Sequence, residues 1–503
     1  MKKTQLLAAL LLAGGLASST AMAQDQQVKM TTNKAVGSAM TLTVNRTGVV
    51  SVDWGDGNVV EYGSVTDPVK TITGTVQGSE ITVSGSYLWT LLDCSSCGLT
   101  ALDVSGATKL QSLYCQNNEL TALNLSGLRS LTDLNAAYNS LTSLSCGETV
   151  LPALENINVA GNQLTGTFVN RSSSIQHVNI AGNQYANVYV NSNPSIDALK
   201  CGGNPLTGKK LDLSKSQQLS AVNCEGCGLA SLTISASEGL PALQQAMVGE
   251  NQFTALDLSA SPLLSLLDAH GNRLTSIGLP SGVKLYGYDC SGNNLTFSSL
   301  PTAKNMPDHI VYQPQARLNV TGSMEVYNGG AYIDVCPSYA ERNDEPYVLD
   351  LGEAWYGPGN TKTGTTVTPI AFDADGNETE MTKATASADG DYTYSSGKLA
   401  FLKPQYGVYL KLTNKTYPDL VIVSNAFAVG KENANGIEDV VADQRNLQVV
   451  PYNGGVSLQA PERTLVTIYD AAGRKVWSGI VSGNVNVGLN KGNYIVNKQK
   501  VAL

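Results

Sequence analysis

Between Trp89 and about Lys304 the apolar positions follow one unit of 21 to 24 residues, repeated ten times. The unit reads plainly in Leu110-Gln-Ser-Leu113-Tyr-Cys115-Gln-Asn-Asn118-Glu-Leu120-Thr-Ala-Leu123-Asn-Leu125-Ser. After Trp89 and Leu110 it begins again at Leu131, Leu154, Ile175, Ile196, Leu219, Leu243, Leu264 and Leu285. Such a unit predicts a short strand, a turn made by Asn, and a return leg with further apolar residues. One unit cannot bury its own apolar row, so neighbours must stack into a solenoid with one continuous core. Solenoids present broad, rigid surfaces, which makes binding the expected job rather than chemistry.

Register sorts the repeat residues into columns. Cys94, Cys115, Cys201, Cys224 and Cys290 share a column with Ala136, Val159, Ile180, Val248 and Ala269, which marks a small inward apolar site. A second column holds Asn118, Asn139, Asn162, Asn183, Asn204, Asn251, Asn272 and Asn293, with Cys97 and Cys227 in the same place. An Asn there is expected to bond backbone groups of adjacent turns as a ladder, with the Cys thiol as its stand-in. Cys146 falls in an inward column with Val104 and Leu125. The spacings Cys94/Cys97 and Cys224/Cys227 also allow a zinc or disulfide reading, but register favours buried thiols. Cys336 lies outside the repeats with no evident partner.

Alternate strand residues point outward. The central outward column reads Asp93, Tyr114, Asn135, Asn158, Asn179, Lys200, Asn223, Met247, Asp268 and Asp289. The next column is small in the middle coils: Ala137, Ala160, Ala181 and Gly202. Both are expected to face solvent, so that small side chains let a partner reach the polar row. Tyr114, Asn135, Asn158, Asn179, Lys200 and Asn223 are therefore the candidate binding residues, on the concave face of the middle coils.

Flanking segments show other patterns. Residues 24–87 alternate in short strands around Asp56-Gly57, a hairpin signal; they are expected to cap a solenoid that spans 88–309. Residues 310–430 alternate with turns at Asp375-Gly376, Asp389-Gly390 and Ser396-Gly397, which predicts an Ig-like β-sandwich as the C-terminal cap. A polar stretch at 431–438 reads as a linker, and 439–503 as a further small β module. The fold class expected is mainly β. Repeats four and five replace the usual return leg with Phe168-Val169 and Val188-Tyr-Val190, which predicts irregularity on that side.

Charge and chemistry narrow the function. The chain of 503 residues has a formal charge of −9 and no basic cluster, which argues against nucleic acid. Residues 1–23 read as a secretory signal: Lys2-Lys3, an apolar run from Leu6 to Leu16, and Ala21-Met-Ala23 before Gln24. That run is too short to span a bilayer. The three histidines, His177, His270 and His309, lie in different coils, and no nucleophile elbow, HExxH or phosphate loop appears. No catalytic residue, metal site or cofactor is expected. Asp53 and Asp56 could bind a cation or simply satisfy their own turn.

Several motifs resemble known families. Val52-Asp-Trp-Gly-Asp-Gly57 resembles the WGDG turn of PKD-type sandwiches, although 24–87 is short for a complete one. The ordered set Val466-Thr-Ile-Tyr-Asp470-Ala-Ala-Gly473-Arg-Lys-Val476, Leu489-Asn-Lys-Gly492-Asn-Tyr494-Ile-Val496 and Lys500-Val-Ala-Leu503 resembles the C-terminal sorting domain of type IX secretion cargo in Bacteroidetes. That resemblance implies contact with the secretion machinery, removal of the domain, and attachment to the outer surface. The leucine-rich repeats resemble the cysteine-containing internalin J-type class. The whole architecture, with Val311-Tyr-Gln-Pro-Gln315 after the repeats, resembles an internalin-like surface protein of a Bacteroidetes species (Porphyromonas-like). The resemblance implies an exported adhesin that contacts protein or glycan on host or bacterial surfaces, in biofilm formation. A glycan-capture module for nutrient uptake and a passive surface protein remain the competing readings.

Overall fold

The computed structural model describes residues 26–320 apart from 65–67, 86–89, 148, 171, 191–192, 207, 209, 236 and 319. It then describes 347–429 apart from 363, 374–376, 386–388 and 403–404, and 447–502 apart from 453–454, 471–474, 490–492 and 497–498. The leader at 1–23, the linker at 431–438, Cys336, the Asp375-Gly376 turn and Leu503 lie outside the described residues. The protein is mainly β: among the described residues the only helical segments are two three-residue 3-10 turns, Phe297–Ser299 and Ala303–Asn305. The repeats form a leucine-rich-repeat solenoid of about ten coils. The chain divides into two compact units, Met1–Ala242 and Leu243–Leu503.

In the first unit each coil contributes a three-residue strand. Leu91–Asp93, Ser112–Tyr114, Asp133–Asn135, Asn156–Asn158, His177–Asn179, Ala198–Lys200 and Ala221–Asn223 pair in parallel, one after another. The central residue of every strand points inward, so Leu92, Leu113, Leu134, Ile157, Val178, Leu199 and Val222 build one buried row. The cysteines sit in the next inward row: Cys94, Cys115, Cys201 and Cys224 are buried. None of the eight described cysteines is in a disulfide. Burial pushes the thiols of Cys97 and Cys146 up to about 11 and that of Cys115 up to about 12. Loss of hydration in an apolar site disfavours the thiolate, so these groups act as small hydrophobes.

Stacking leaves buried peptide groups at each turn, and the Asn column satisfies them. Asn162 Nδ2 donates to the carbonyls of Ala136 in the preceding coil and Val159 in its own, each at 3.0 Å. Its Oδ1 accepts from Leu141 N–H at 3.0 Å. Asn118, Asn139, Asn183 and Asn204 repeat this pattern. Where Cys takes the place, the thiol reaches a carbonyl instead: Cys97 Sγ donates to Thr41 O at 3.4 Å and Cys227 Sγ to Cys201 O at 3.1 Å.

The N-terminal segment is built into the first coil. Ala39–Thr47 pairs antiparallel with Leu91–Asp93 and with Pro68–Thr75, which extends the strand sheet past its first coil. Gln26–Thr32, Val50–Asp53, Val59–Tyr62 and Glu80–Gly85 form a second sheet that ends on Leu99–Asp103, the return leg of that coil. One sheet thus contains strands from both sides of residue 87, as a cap built onto the first coil would have it. Met30, Met40, Leu42, Ile72 and Ile81 are among the largest fully buried side chains. The return legs of repeats four and five carry the irregularity expected there, which the paired return legs Lys210–Asp212 with Ser231–Thr233 and Ala255–Asp257 with Ser276–Gly278 do not show. Thr165–Val169 and Gln184–Tyr189 pair in parallel with a single register shift after Gly166.

In the second unit Gln245–Met247, Leu266–Asp268 and Gly287–Asp289 continue the coil pattern, and His309–Val311 adds a further parallel strand. Gln315 then takes the place of a ladder Asn: its Oε1 accepts from Leu295 N–H at 3.0 Å and its Nε2 donates to Cys290 O at 2.9 Å. Residues 309–315 thus continue the strand and ladder pattern past the last expected coil. Beyond them lie two antiparallel sheets, one of Tyr347–Asp350, Lys398–Phe401 and Tyr392–Ser395, the other centred on Gln405–Asn414. Phe401 and Phe427, 5.9 Å apart edge to face, join the two sheets, and Tyr417 OH donates to Pro301 O at 2.7 Å to tie them to the last coil. The last module is a five-stranded sheet with the long hairpin Gly455–Asp470 and Lys475–Gly488. Its own core comprises Val456, Leu458, Val466, Ile468 and Val496.

Candidate ligand-binding face

The outward residues of the strands in the first unit form a two-column grid, because period two brings residues i and i+2 to one face. Register places Tyr114, Asn135, Asn158, Asn179, Lys200 and Asn223 side by side in one column. Ser112, Asp133, Asn156, His177, Ala198 and Ala221 form the other. A depression of about 320 Å³ runs along both columns, and Tyr114, Asn135, Asn158, Asn179 and Lys200 line it. Asn223 stands in line with them but outside the depression.

The Asn side chains of the first column have a local duty. Oδ1 of Asn135 accepts from Ala137 N–H at 3.2 Å, and Asn158 and Asn179 do the same for Ala160 and Ala181 at 3.3 Å. Asn223 accepts from Glu225 N–H at 3.2 Å. Each is an Asx turn that closes the strand. Because the oxygen must face the backbone N–H, the amide orientation is fixed and Nδ2 is turned away from it.

The second column ties itself together. Asn156 Nδ2 donates to Asp133 Oδ1 at 2.7 Å, and Thr132 Oγ1 donates to Asp133 Oδ2 at 2.7 Å. His177 Nδ1 lies 2.5 Å from Asn156 Oδ1, an atom that only accepts, so Nδ1 carries the proton. His177 Nε2 faces Asp197 Oδ2 at 3.3 Å. Asp133, Asn156 and His177 also line the depression, and sequence reasoning passed over them. The signal was present: each stands two residues before a residue of the candidate column.

One expectation is overturned. Ala137, Ala160 and Gly202 do not open onto solvent; Ala137 is 1% exposed and Ala160 8%, and Gly202 is buried. After the Asx turn a side chain at this position points along the stack. A Cβ on Gly202 would lie 2.7 Å from Asn223 Oδ1, and one on Gly249 2.4 Å from His270 Nδ1. The column is small because the neighbouring coil fills the space, not to admit a ligand.

Two other acidic places are accounted for by their own bonds. Asp53 accepts from Gly55 and Gly57 N–H at 2.8 and 3.1 Å, and Asp56 accepts from the Asn58 backbone and side chain at 3.0 and 2.9 Å. In the second unit Asp268, His270 and Asp289 bring one ligand atom each within 4.8 Å of one another. His270 Nδ1 is 2.6 Å from Asp268 Oδ1 and its Nε2 3.2 Å from Glu250 Oε1. Asp289 accepts from Ser291 N–H and Oγ at 3.0 and 2.7 Å. The Asp268 hydrogen bond holds the His270 pKa above its ordinary value, with the nearby charges of Asp268, Asp289 and Glu250 adding to it.

No protein-family model and no curated protein matches this sequence. Among solved structures the chain is similar to a leucine-rich-repeat protein of Leptospira interrogans, LIC12759, at 20% identity over 43% of this chain, with a TM-score of 0.36. The match spans 58% of that protein, less than two thirds of its length. It is also similar to the functional domain of InlJ from Listeria monocytogenes, which includes a cysteine ladder, at 17% identity over 71% of this chain and 93% of that one, TM-score 0.26. InlP of Listeria monocytogenes is similar at 14% identity over 66% of this chain and 91% of that one, TM-score 0.38. Among the described residues no helix is long and apolar enough to cross a membrane.

Proposed function

We propose that this chain is an exported surface protein, an adhesin that contacts protein or glycan on host or bacterial cells through the strand face of its middle coils, in biofilm formation. On this reading residues 1–23 direct export and 439–503 engage the secretion machinery. Cleavage within 431–438 then leaves the solenoid on the outer surface. The protein is a binding module and not an enzyme. One observation carries the reading: five side chains of the middle coils, Tyr114 to Lys200, line a single open depression on a rigid parallel sheet. A rigid array loses little conformational freedom when a partner docks.

The test replaces two amides with carboxylates, Asn135→Asp with Asn179→Asp, which preserves the Asx acceptors and therefore the turns. Whole-cell attachment of the double variant is expected to be lost while its chemical melt stays within about 0.5 kcal/mol of the parent. Attachment that survives moves the functional surface away from this face. The export half is tested separately: deletion of residues 489–503 should leave a folded protein trapped in the periplasm.

A further inference from the structure

We propose that the depression on the middle coils binds an oligosaccharide carrying a single carboxylate, with a sugar ring on Tyr114 and the acid group at Lys200. This deepens the adhesin reading and rests on it. The first ground is a mismatch between free donors and free acceptors. Asn135, Asn158 and Asn179 spend Oδ1 on the backbone. Their Nδ2 atoms have no hydrogen bond to a described residue, and Lys200 has no ion pair with one. Acceptors beside them are partly engaged: Asp133 accepts from Asn156 and Thr132, and Asn156 Oδ1 accepts from His177 Nδ1. The face therefore presents a row of donors, and its ligand must bring acceptors.

Spacing separates the two classes of partner. Adjacent parallel strands place these donors about 4.8 Å apart. An extended peptide offers carbonyls to one side only at every second residue, about 6.6 Å, out of step with the row. It would also turn N–H groups toward a row whose free atoms are donors. A sugar chain offers hydroxyl and ring oxygens from every ring, and each hydroxyl can accept. Tyr114 closes one end of the row with a half-buried ring that can take the apolar face of a pyranose. Charge sets the number of acid groups. Lys200 is exposed and is the one cation in the candidate column, while Asp133 and Asp197 stand on the other side of the row. A polyanion would meet those carboxylates, whereas one carboxylate can sit at Lys200 alone.

An array of oligosaccharides ending in sialic or uronic acid, each paired with its methyl ester, is applied to the full mature protein together with acidic extended peptides. The acids are expected to bind and the esters to bind more weakly. Lys200→Met should weaken the acids at least about tenfold and leave the esters within about twofold, because only the charge-assisted bond is lost. Tyr114→Ala should weaken acid and ester alike. Binding of peptides but no sugars overturns the inference, as does an acid-over-ester preference that survives in Lys200→Met. If no sugar binds and yet Asn135→Asp with Asn179→Asp abolishes cell attachment, the ligand class is wrong and the adhesin reading stands. If the double variant still attaches cells, the functional surface lies away from this face and the inference falls with it.

Discussion

The strand faces of the two units use the same backbone device to different ends. In the middle coils the position that closes each strand is Asn135, Asn158, Asn179 or Asn223; in the last two coils it is Asp268 and Asp289. In all six the side-chain oxygen accepts the N–H two residues ahead, at 3.0 to 3.3 Å. That bond is indifferent to Asn or Asp, since both supply a carbonyl-type acceptor. The remaining atom differs. In the first unit it is an amide donor; in the second it is a second carboxylate oxygen, so the group is charged, and Asp268 Oδ1, the Asx acceptor itself, also takes His270 Nδ1 at 2.6 Å while Nε2 lies 3.2 Å from Glu250. The backbone requirement accounts for a polar residue at this position, and the choice of amide or carboxylate, donor or charge, bears on what the face can bind.

The comparison breaks most severely if the inward Asn ladder is cut, because both faces hang from it. Asn162→Ala removes two donors and one acceptor from buried carbonyls and a buried N–H. Each stranded group costs about 1–3 kcal/mol, so the variant should unfold at clearly lower urea. Asn158→Ala, four residues earlier, loses only the Asx turn and should cost about 0.5–1.5 kcal/mol. Equal midpoints for the two variants would mean that inward and outward positions have been exchanged.

A finer test exchanges the leftover atoms and keeps the turns. Asn158→Asp and Asp289→Asn each preserve Oδ1 and should shift stability by no more than about 0.5 kcal/mol. Their effects on binding should diverge: Asn158→Asp replaces a donor with a charge and should abolish capture of an acidic sugar, whereas Asp289→Asn should leave it unchanged. If Asn158→Asp proves as destabilising as Asn158→Ala, the Asx bond is not what holds this position polar.

How far this was readable from the chain follows the same division. Coil number, the inward rows and the ladder are written in the 21-residue spacing, because each stacked coil repeats the same buried environment. The Gln315 ladder position keeps the repeat spacing after Asn293 but was missed because a Gln, with its longer amide, stands where the column has Asn. How the N-terminal segment joins the first coil is not legible, because antiparallel pairing of Gln26–Thr32 with Leu99–Asp103 is non-local and leaves no periodic trace. On the binding face, the column from Tyr114 to Asn223 follows from strand alternation alone. The solvent assignment of Ala137 and Ala160 failed because alternation stops at the Asx turn, where Cβ swings along the stack. The Asp133–Asn156–His177 chain needs three coils in register before its members meet, so no single repeat displays it.

The smallest expected effect concerns the carboxylate face and its dependence on pH. His270 has its pKa raised in the folded protein, first by the Asp268 hydrogen bond and then by the charges of Asp268, Asp289 and Glu250, against a lowering by partial burial. A histidine whose folded value lies above its unfolded value of about 6.5 stabilises the fold most when protonated. That contribution is fully present below about pH 6.5 and is lost as pH rises through the higher folded value. The site is open to solvent on one side, with Glu250 exposed, so screening keeps the contribution to the scale of a surface ion pair, under about 1 kcal/mol. NMR titration of His270 should give a midpoint above the ordinary value. Asp268→Asn, which keeps the Asx acceptor and removes the charge, should bring that midpoint down and flatten the slight loss of stability between about pH 6 and pH 8. A midpoint unmoved by Asp268→Asn would assign the shift to Glu250 and Asp289, and the clamp would then owe nothing to the Asp268 charge that distinguishes this face from the amide row.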